Sequence, residues 1–188
     1  MGTTPTDGGG RVRASRVVYH WEGPPRVELV LDDVERGGRR WAQHRLVLAD
    51  GRPGAVAVVV RDDQVLLVRQ WRPAVGRVLW ELPRGLADAG DADGAATAAR
   101  EVHEETGLPT ASARVLGTVW PDSGLLAGTV AVVEVHLAPT GPDASPSADG
   151  EVDARHWVPV AQLDELVREG TLTDGLSLAA LAVWRASR

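Results

Sequence analysis

GLADAGDADGAATAAREVHEETGL, residues 85–108, is the stretch on which the reading of this chain turns. From Gly94 to Thr106 the run is rich in Ala, and Gly107 and Pro109 end it, so a helix is predicted there. At about 100° of turn per residue, Glu101, Glu104 and Glu105 share an arc of roughly 100° on that helix. Like charges at this spacing repel, and the macrodipole disfavours negative charge near a helix C-terminus. A chain accepts the arrangement readily when a cation neutralises the cluster. Hard divalent ions such as Mg²⁺ take carboxylate oxygens and keep positions free for water and phosphate. Ala95, Ala98, Ala99 and Val102 lie beside the arc and let the helix press on a sheet, with the carboxylates at the sheet edge. For a Glu-Glu pair alone, a solvated acidic face is the plainer explanation.

Strands are predicted on both sides of this helix. AVAVVV (55–60) is apolar on both faces and is expected inside a sheet covered on both sides. Asp62-Asp63 turns it into QVLLVRQW (64–71), and a loop through Pro73 and Gly76 leads to LWELPRG (79–85). Later strands are expected at 113–120, 129–138 and VDARHWVPV (152–160), with a polar Pro/Gly/Ser-rich loop at 139–150. Helices are expected at 160–169 and 175–187. Ahead of all this, RVVYHW, RVELVLDDV and WAQHRLVL, between Ser15 and Leu48, read as short strands, the last two joined by a turn at Glu35-Arg36-Gly37-Gly38. The organisation is thus a flexible leader (1–14), a β-rich segment (15–50) and a main domain (51–188). Strands around an early helix, followed by late helices, indicate an α/β fold with a sheet between helices.

Composition narrows the function classes. The 188 residues suit one domain, or one domain plus a small appendage, and 44% hydrophobic content is ample for a core. All 20 basic residues are Arg, which carries no functional meaning by itself. Zero cysteines exclude disulfides, thiolate nucleophiles and Cys-ligated metal, and fit a cytoplasmic protein. A net charge of −6 argues against a nucleic-acid partner, which normally meets a basic face. No stretch reaches the roughly 18 apolar residues of a membrane helix, so no membrane partner is expected. The start, MGTTPTDGGGR, lacks a signal-peptide core; its loose acylation pattern, Gly2 followed by Thr6, reads as a plain polar tail. Among seven Trp, Trp21 and Trp120 are expected in the core, with base stacking as the alternative. His20, His44, His136 and His156 show no metal spacing.

The helix segment resembles the Nudix box. Gly85 opens it, and Arg100-Glu101-Val102-His103-Glu104-Glu105-Thr106-Gly107-Leu108 matches its whole second half, with His103 at the variable position. The first half departs from the family: Asp91 stands where a Glu belongs, and the gap to Arg100 is one residue longer. The family's Glu braces the Arg, so Asp91 or Asp93 is expected to brace Arg100. VRQWRPAVGRVLWELPRG is similar to the corresponding run of ADP-ribose pyrophosphatases and related nucleoside-diphosphate-sugar hydrolases. Residues 15–50 resemble their N-terminal dimerisation domain, and GTLTDGLSLAALAVW their closing helix.

The resemblance implies a Nudix α/β/α sandwich with a mixed β-sheet, preceded by the small β-rich segment, in a homodimer. It implies metal-dependent hydrolysis of a diphosphate linkage in a nucleoside diphosphate derivative, first ADP-ribose to AMP and ribose 5-phosphate. A nucleotide sugar, a dinucleoside polyphosphate or a nucleoside triphosphate are alternative substrates, and a nucleotide-binding sensor without turnover is the alternative function. Glu101 and Glu105 are the implied principal ligands of Mg²⁺ or Mn²⁺, with Glu104 a further ligand or the base. The Arg84 backbone carbonyl joins the metal shell, and Arg100 counts among the catalytic groups. Substrate contacts are implied at Arg72, Arg69, the Arg84 guanidinium, Glu81 and Asp122. The plainer roles are a surface ion pair for Arg72 and a loop brace for Glu81. WPDSGLLAG (120–128) lacks the Glu that many ADP-ribose hydrolases carry there, which leaves Asp122 and Ser123 as its polar groups and Glu104, Glu151 or Asp153 as alternative bases.

Overall fold

The computed structural model describes residues 9–139 and 152–188. The first eight residues of the expected leader, the polar loop at 140–150 and Glu151 lie outside the described residues, as does the side chain of Asp153. The chain divides into two compact units. The first runs to Arg52 and takes in Asp122–Gly128; the second comprises Pro53–Pro121 and Thr129–Arg188. Among the described residues, no helix is long and apolar enough to cross a membrane.

The first unit is an antiparallel sheet in the order β1 (Arg11–Trp21), β2 (Val27–Arg36), β3 (Arg39–Leu48). Gly37 and Gly38, both at positive φ, make the β2–β3 turn. The first strand starts at Arg11, inside the segment read as leader, because Arg11 and Arg13 pair with Glu35 across the sheet and extend the ladder. All of β1 is exposed, including Val17, Tyr19 and Trp21. Trp21 is therefore not a core residue; it lies on an edge strand and is 56% exposed. Asp32 is the unit's buried carboxylate. Burial lifts it, but hydrogen bonds from Ser15 Oγ and Arg45 Nε, both 2.6 Å, outweigh that and hold it below the usual carboxylate range. The stretch Asp122–Gly128 joins this unit through Leu46, which donates to Leu125 O (2.7 Å) and accepts from Ala127 N–H (2.9 Å).

The second unit contains β4 (Gly54–Arg61), β5 (Gln64–Arg72), β6 (Arg77–Glu81), β7 (Arg84–Gly85), α1 (Gly94–Thr106), β8 (Thr110–Val119), β9 (Val130–Leu137), β10 (Val152–Pro159), α2 (Leu163–Arg168) and α3 (Gly175–Ala186). The strands run β10-β5-β4-β9-β8, with β6 added on β5 and β7 on β4. Among the described residues of this sheet, only β4 and β9 pair in parallel, so the sheet is mixed. The double-sided apolar character of β4 has a direct cause. Val56 and Val58 join Leu67, Leu163, Leu181 and Trp184 in one core; Ala55, Ala57 and Val59 join Ala98, Val102 and Val133 in another. Helix α1 thus covers one face and α2 with α3 the other, an α/β/α sandwich. Each buried Val or Leu contributes about 1.5–3 kcal/mol. Trp184 secures α3, fully buried with its Nε1 donating to Glu134 at 2.8 Å. Trp120, just past the end of β8, is 63% exposed and so also outside the core.

One irregularity positions the site. Strands β4 and β5 pair only at their hairpin end, Val60 with Val65 and Arg61 with Gln64, and then part. The segment LWELPRG (79–85) forms parts of two short strands and crosses the opening: β6 follows β5 as far as Glu81, and β7 follows β4 from Arg84. Between them Pro83 has no N–H to donate, while its carbonyl accepts from Ala57 N–H at 2.8 Å.

Candidate active site

Helix α1 starts at Asp93, whose side chain accepts from Ala96 N–H at 2.9 Å as an N-cap, and stops at Gly107, in the left-handed region at φ 68°. The cap settles which aspartate braces Arg100. Asp93 is occupied, and Asp91 takes the guanidinium: Nη2 to Oδ2 at 2.9 Å and Nε to both oxygens at 3.3 Å. Arg100 holds the Asp91 carboxyl below its ordinary range, outweighing the effect of burial. The same guanidinium donates to Leu86 O, Glu101 Oε1 and Glu104 Oε2, each at 2.8 Å. It therefore ties the loop before α1 to two of the helix's carboxylates.

Gly85 is required by close approach. A Cβ there would lie 2.1 Å from Glu101 Oε1, so the carboxylate rests directly against the glycine of β7. Burial pushes the Glu101 carboxyl up, against the pull of Arg100. Glu105 goes further: burial, then the neighbouring Glu101 and Glu81 carboxylates, push it up to about 8, although Arg84 N–H donates to it. Its Oε2 is buried and has no hydrogen-bond partner among the described residues. Glu104 points outward, its side chain 45% exposed.

Among the described residues, no three carboxylates or imidazoles are gathered as a ready ligand set, because Arg100 draws Glu101 and Glu104 to itself. The chemistry nevertheless fits a hard divalent cation. The donors are anionic oxygens, and the partnerless buried oxygen of Glu105 is what such an ion would satisfy.

A second ionic group lies at the opening between β5 and β4. Glu81, completely buried, accepts from Arg72 Nη2 and, at 3.2 Å, from Arg72 Nε. It also accepts from Arg84 Nη2 at 3.1 Å. Arg72 is thus paired with a buried carboxylate, not in a surface ion pair. Arg69, three residues earlier on β5, is exposed and on the opposite face by strand alternation. Asp122 belongs to the first unit, where its Oδ1 accepts from Gly124 N–H at 2.9 Å and closes a turn. Two residues escaped the sequence reading. Asp174 Oδ1 accepts from Arg84 Nη2 at 3.1 Å, and Ser177 Oγ accepts from Leu82 N–H at 2.9 Å. The only local signal for Asp174 is a cap signature, Asp-Gly before an apolar run.

Comparison with known proteins identifies the family and the fold. The NUDIX domain family model matches residues 51–178. The chain is 36% identical over 156 residues to the CMP-5'-(N-acetyl-N-hydroxy-3-aminopropyl)phosphonate hydrolase of Streptomyces rubellomurinus, covering 80% of this chain and 72% of that protein. It is 32% identical over 131 residues to an ADP-ribose pyrophosphatase of Mycobacterium tuberculosis, covering 68% of this chain and 63% of that one. A solved ADP compounds hydrolase shares the fold, with a TM-score of 0.74 at 18% identity over 97% of this chain and 96% of that one.

Proposed function

The chain belongs to the Nudix family, and from that premise we propose that it hydrolyses the diphosphate linkage of a nucleoside diphosphate derivative, ADP-ribose first, to AMP and ribose 5-phosphate. The observation that carries this reading is the buried Glu105 carboxylate, with a partnerless oxygen, beside Glu101. Glu101 and Glu105, with Glu104 and the Arg84 carbonyl, are the groups that would hold Mg²⁺ or Mn²⁺. When bound, such an ion neutralises diphosphate oxygens and acidifies a water.

The chain's own residues supply the rest. Arg72 and Arg84 direct N–H donors at the diphosphate, and the Glu81 they share keeps both guanidiniums oriented. Glu104, the most exposed carboxylate of the helix motif, takes the proton of the attacking water, and Arg100 orients it together with Glu101. The first unit, with Val17, Tyr19 and Trp21 exposed on β1, is the proposed contact between two copies in a homodimer. Zero cysteines accord with a cytoplasmic location.

The Streptomyces relative favours a second substrate, a cytidine nucleotide linked to a phosphonate, in which the cleaved P–O bond would again belong to a P–O–P bridge. The test is product release from ADP-ribose and from a CMP-linked phosphonate, with Mg²⁺ or Mn²⁺. Faster turnover of ADP-ribose supports the first substrate, and the reverse supports the second. Tight binding of ADP-ribose with no turnover in either metal would instead indicate a sensor.

A further inference from the structure

The Arg84 guanidinium is held in an unusual way. Its Nη2 alone meets two carboxylates, Glu81 Oε2 and Asp174 Oδ1, each at 3.1 Å. Its Nε is buried and without a partner among the described residues. Its backbone N–H meanwhile donates to Glu105. One terminal nitrogen is thus pinned by two anions while a buried donor on the same planar group is unspent. A guanidinium presents its donors as a rigid fork, so pinning one corner sets the direction of the others.

Asp174 is itself tightly placed. Its Oδ2 accepts from Ser177 N–H at 2.9 Å and from Ser177 Oγ at 2.7 Å, capping α3. Ser177 Oγ in turn accepts from Leu82 N–H, between β6 and β7. The start of α3 is therefore locked to the same chain crossing that carries Arg84, and the side chain of Asp174 is only 10% exposed.

We propose that Asp174 is a positioning residue: with Glu81 it aims the free donors of Arg84 at the diphosphate oxygens of the substrate. This rests on the diphosphate-hydrolase reading above. Without Asp174, Arg84 keeps a single carboxylate tether and regains rotamer freedom, which weakens its hold on phosphate.

Asn and Ser cap helices about as well as Asp, so Asp174→Asn and Asp174→Ser remove the charge facing Arg84 and keep the cap. The experiment is a double-mutant cycle of Asp174→Asn with Arg84→Gln, read as calorimetric binding of inorganic pyrophosphate with Mg²⁺ and as kcat and KM on ADP-ribose. Asp174→Asn should weaken pyrophosphate binding about tenfold and raise KM more than it lowers kcat, with the unfolding midpoint nearly unchanged. In the Arg84→Gln background it should have no further effect. An additive loss in both backgrounds, unchanged binding in Asp174→Asn, or no pyrophosphate binding by the wild type would overturn the proposal. Failure of both the Asn and Ser variants to fold would make Asp174 structural, with the same consequence. Absent ADP-ribose turnover, with the coupling to Arg84 intact in pyrophosphate binding, would remove the substrate reading and leave the role of Asp174 standing.

Discussion

Two ionic groups in the second unit are built on opposite charge balances. Around Arg100, one cation faces four carboxylates, Asp88, Asp91, Glu101 and Glu104. Around Glu81, two cations, Arg72 and Arg84, face two carboxylates, Glu81 and Asp174. The second group balances its charges, although the buried Arg84 Nε has no partner among the described residues. The first carries excess negative charge, and Glu105 next to it adds a buried carboxyl that none of the described residues fully satisfies. Leaving polar groups buried and unpaired costs stability, so a fold that keeps them has a ligand for them or another use. In the function proposed above, the contrast separates the part of the site that would take a cation from the part that would receive the anionic substrate.

Substitutions test this contrast in descending order of effect. Glu105→Gln removes the carboxyl that the first group cannot satisfy internally. Turnover should fall more than about a hundredfold, as on loss of a key charge-stabilising group, while metal-free stability changes by only about 1 kcal/mol. Product release and thermal unfolding of the same samples check both halves. Arg100→Ala leaves four carboxylates without their common cation and should cost about 2–3 kcal/mol, measured by denaturant unfolding. Gly85→Ala introduces a Cβ 2.1 Å from Glu101 Oε1. The carboxylate end can move aside, so stability should change little, but kcat/KM should drop about tenfold as Glu101 leaves its place.

The smallest effect sharpens the comparison through pH. Asp91→Asn should cost about 1 kcal/mol at neutral pH. Because Arg100 lowers the folded-state pKa of Asp91, its stabilisation is complete above the unfolded value of about 3.9 and is lost as pH falls through the folded value. The wild-type advantage should therefore be flat from neutral pH to about 5 and vanish in stronger acid, as read from urea midpoints across pH. An advantage that persisted in strong acid would mean that packing, not charge, is what Asp91 contributes.

What could be read from the sequence followed from local periodicity. The helix with its three carboxylates and the double-sided strand β4 both obey short-range rules, and both stand in the structure at nearly the expected residues. The choice between Asp91 and Asp93 was open because a loop has no fixed period; the structure uses one as brace and the other as cap. The parting of β4 and β5, with Leu82 and Pro83 between two short strands, depends on a third segment entering the sheet, which no single run encodes. Asp174 meets Arg84 across 90 residues of sequence, so only folding reveals the pair. Trp21 and Trp120 misled because bulk apolar character predicts burial in general, not at an edge strand or just past a strand end.

The most direct measurement follows the thermal unfolding of the wild type and Glu105→Gln while Mg²⁺ or Mn²⁺ is added near neutral pH. A ligand that binds only the folded state raises the midpoint with its concentration. The wild-type midpoint should climb with either ion, and that of Glu105→Gln should move far less. Equal climbs in the two proteins, or none in the wild type, would contradict the claim that the carboxylates of α1 are completed by a cation.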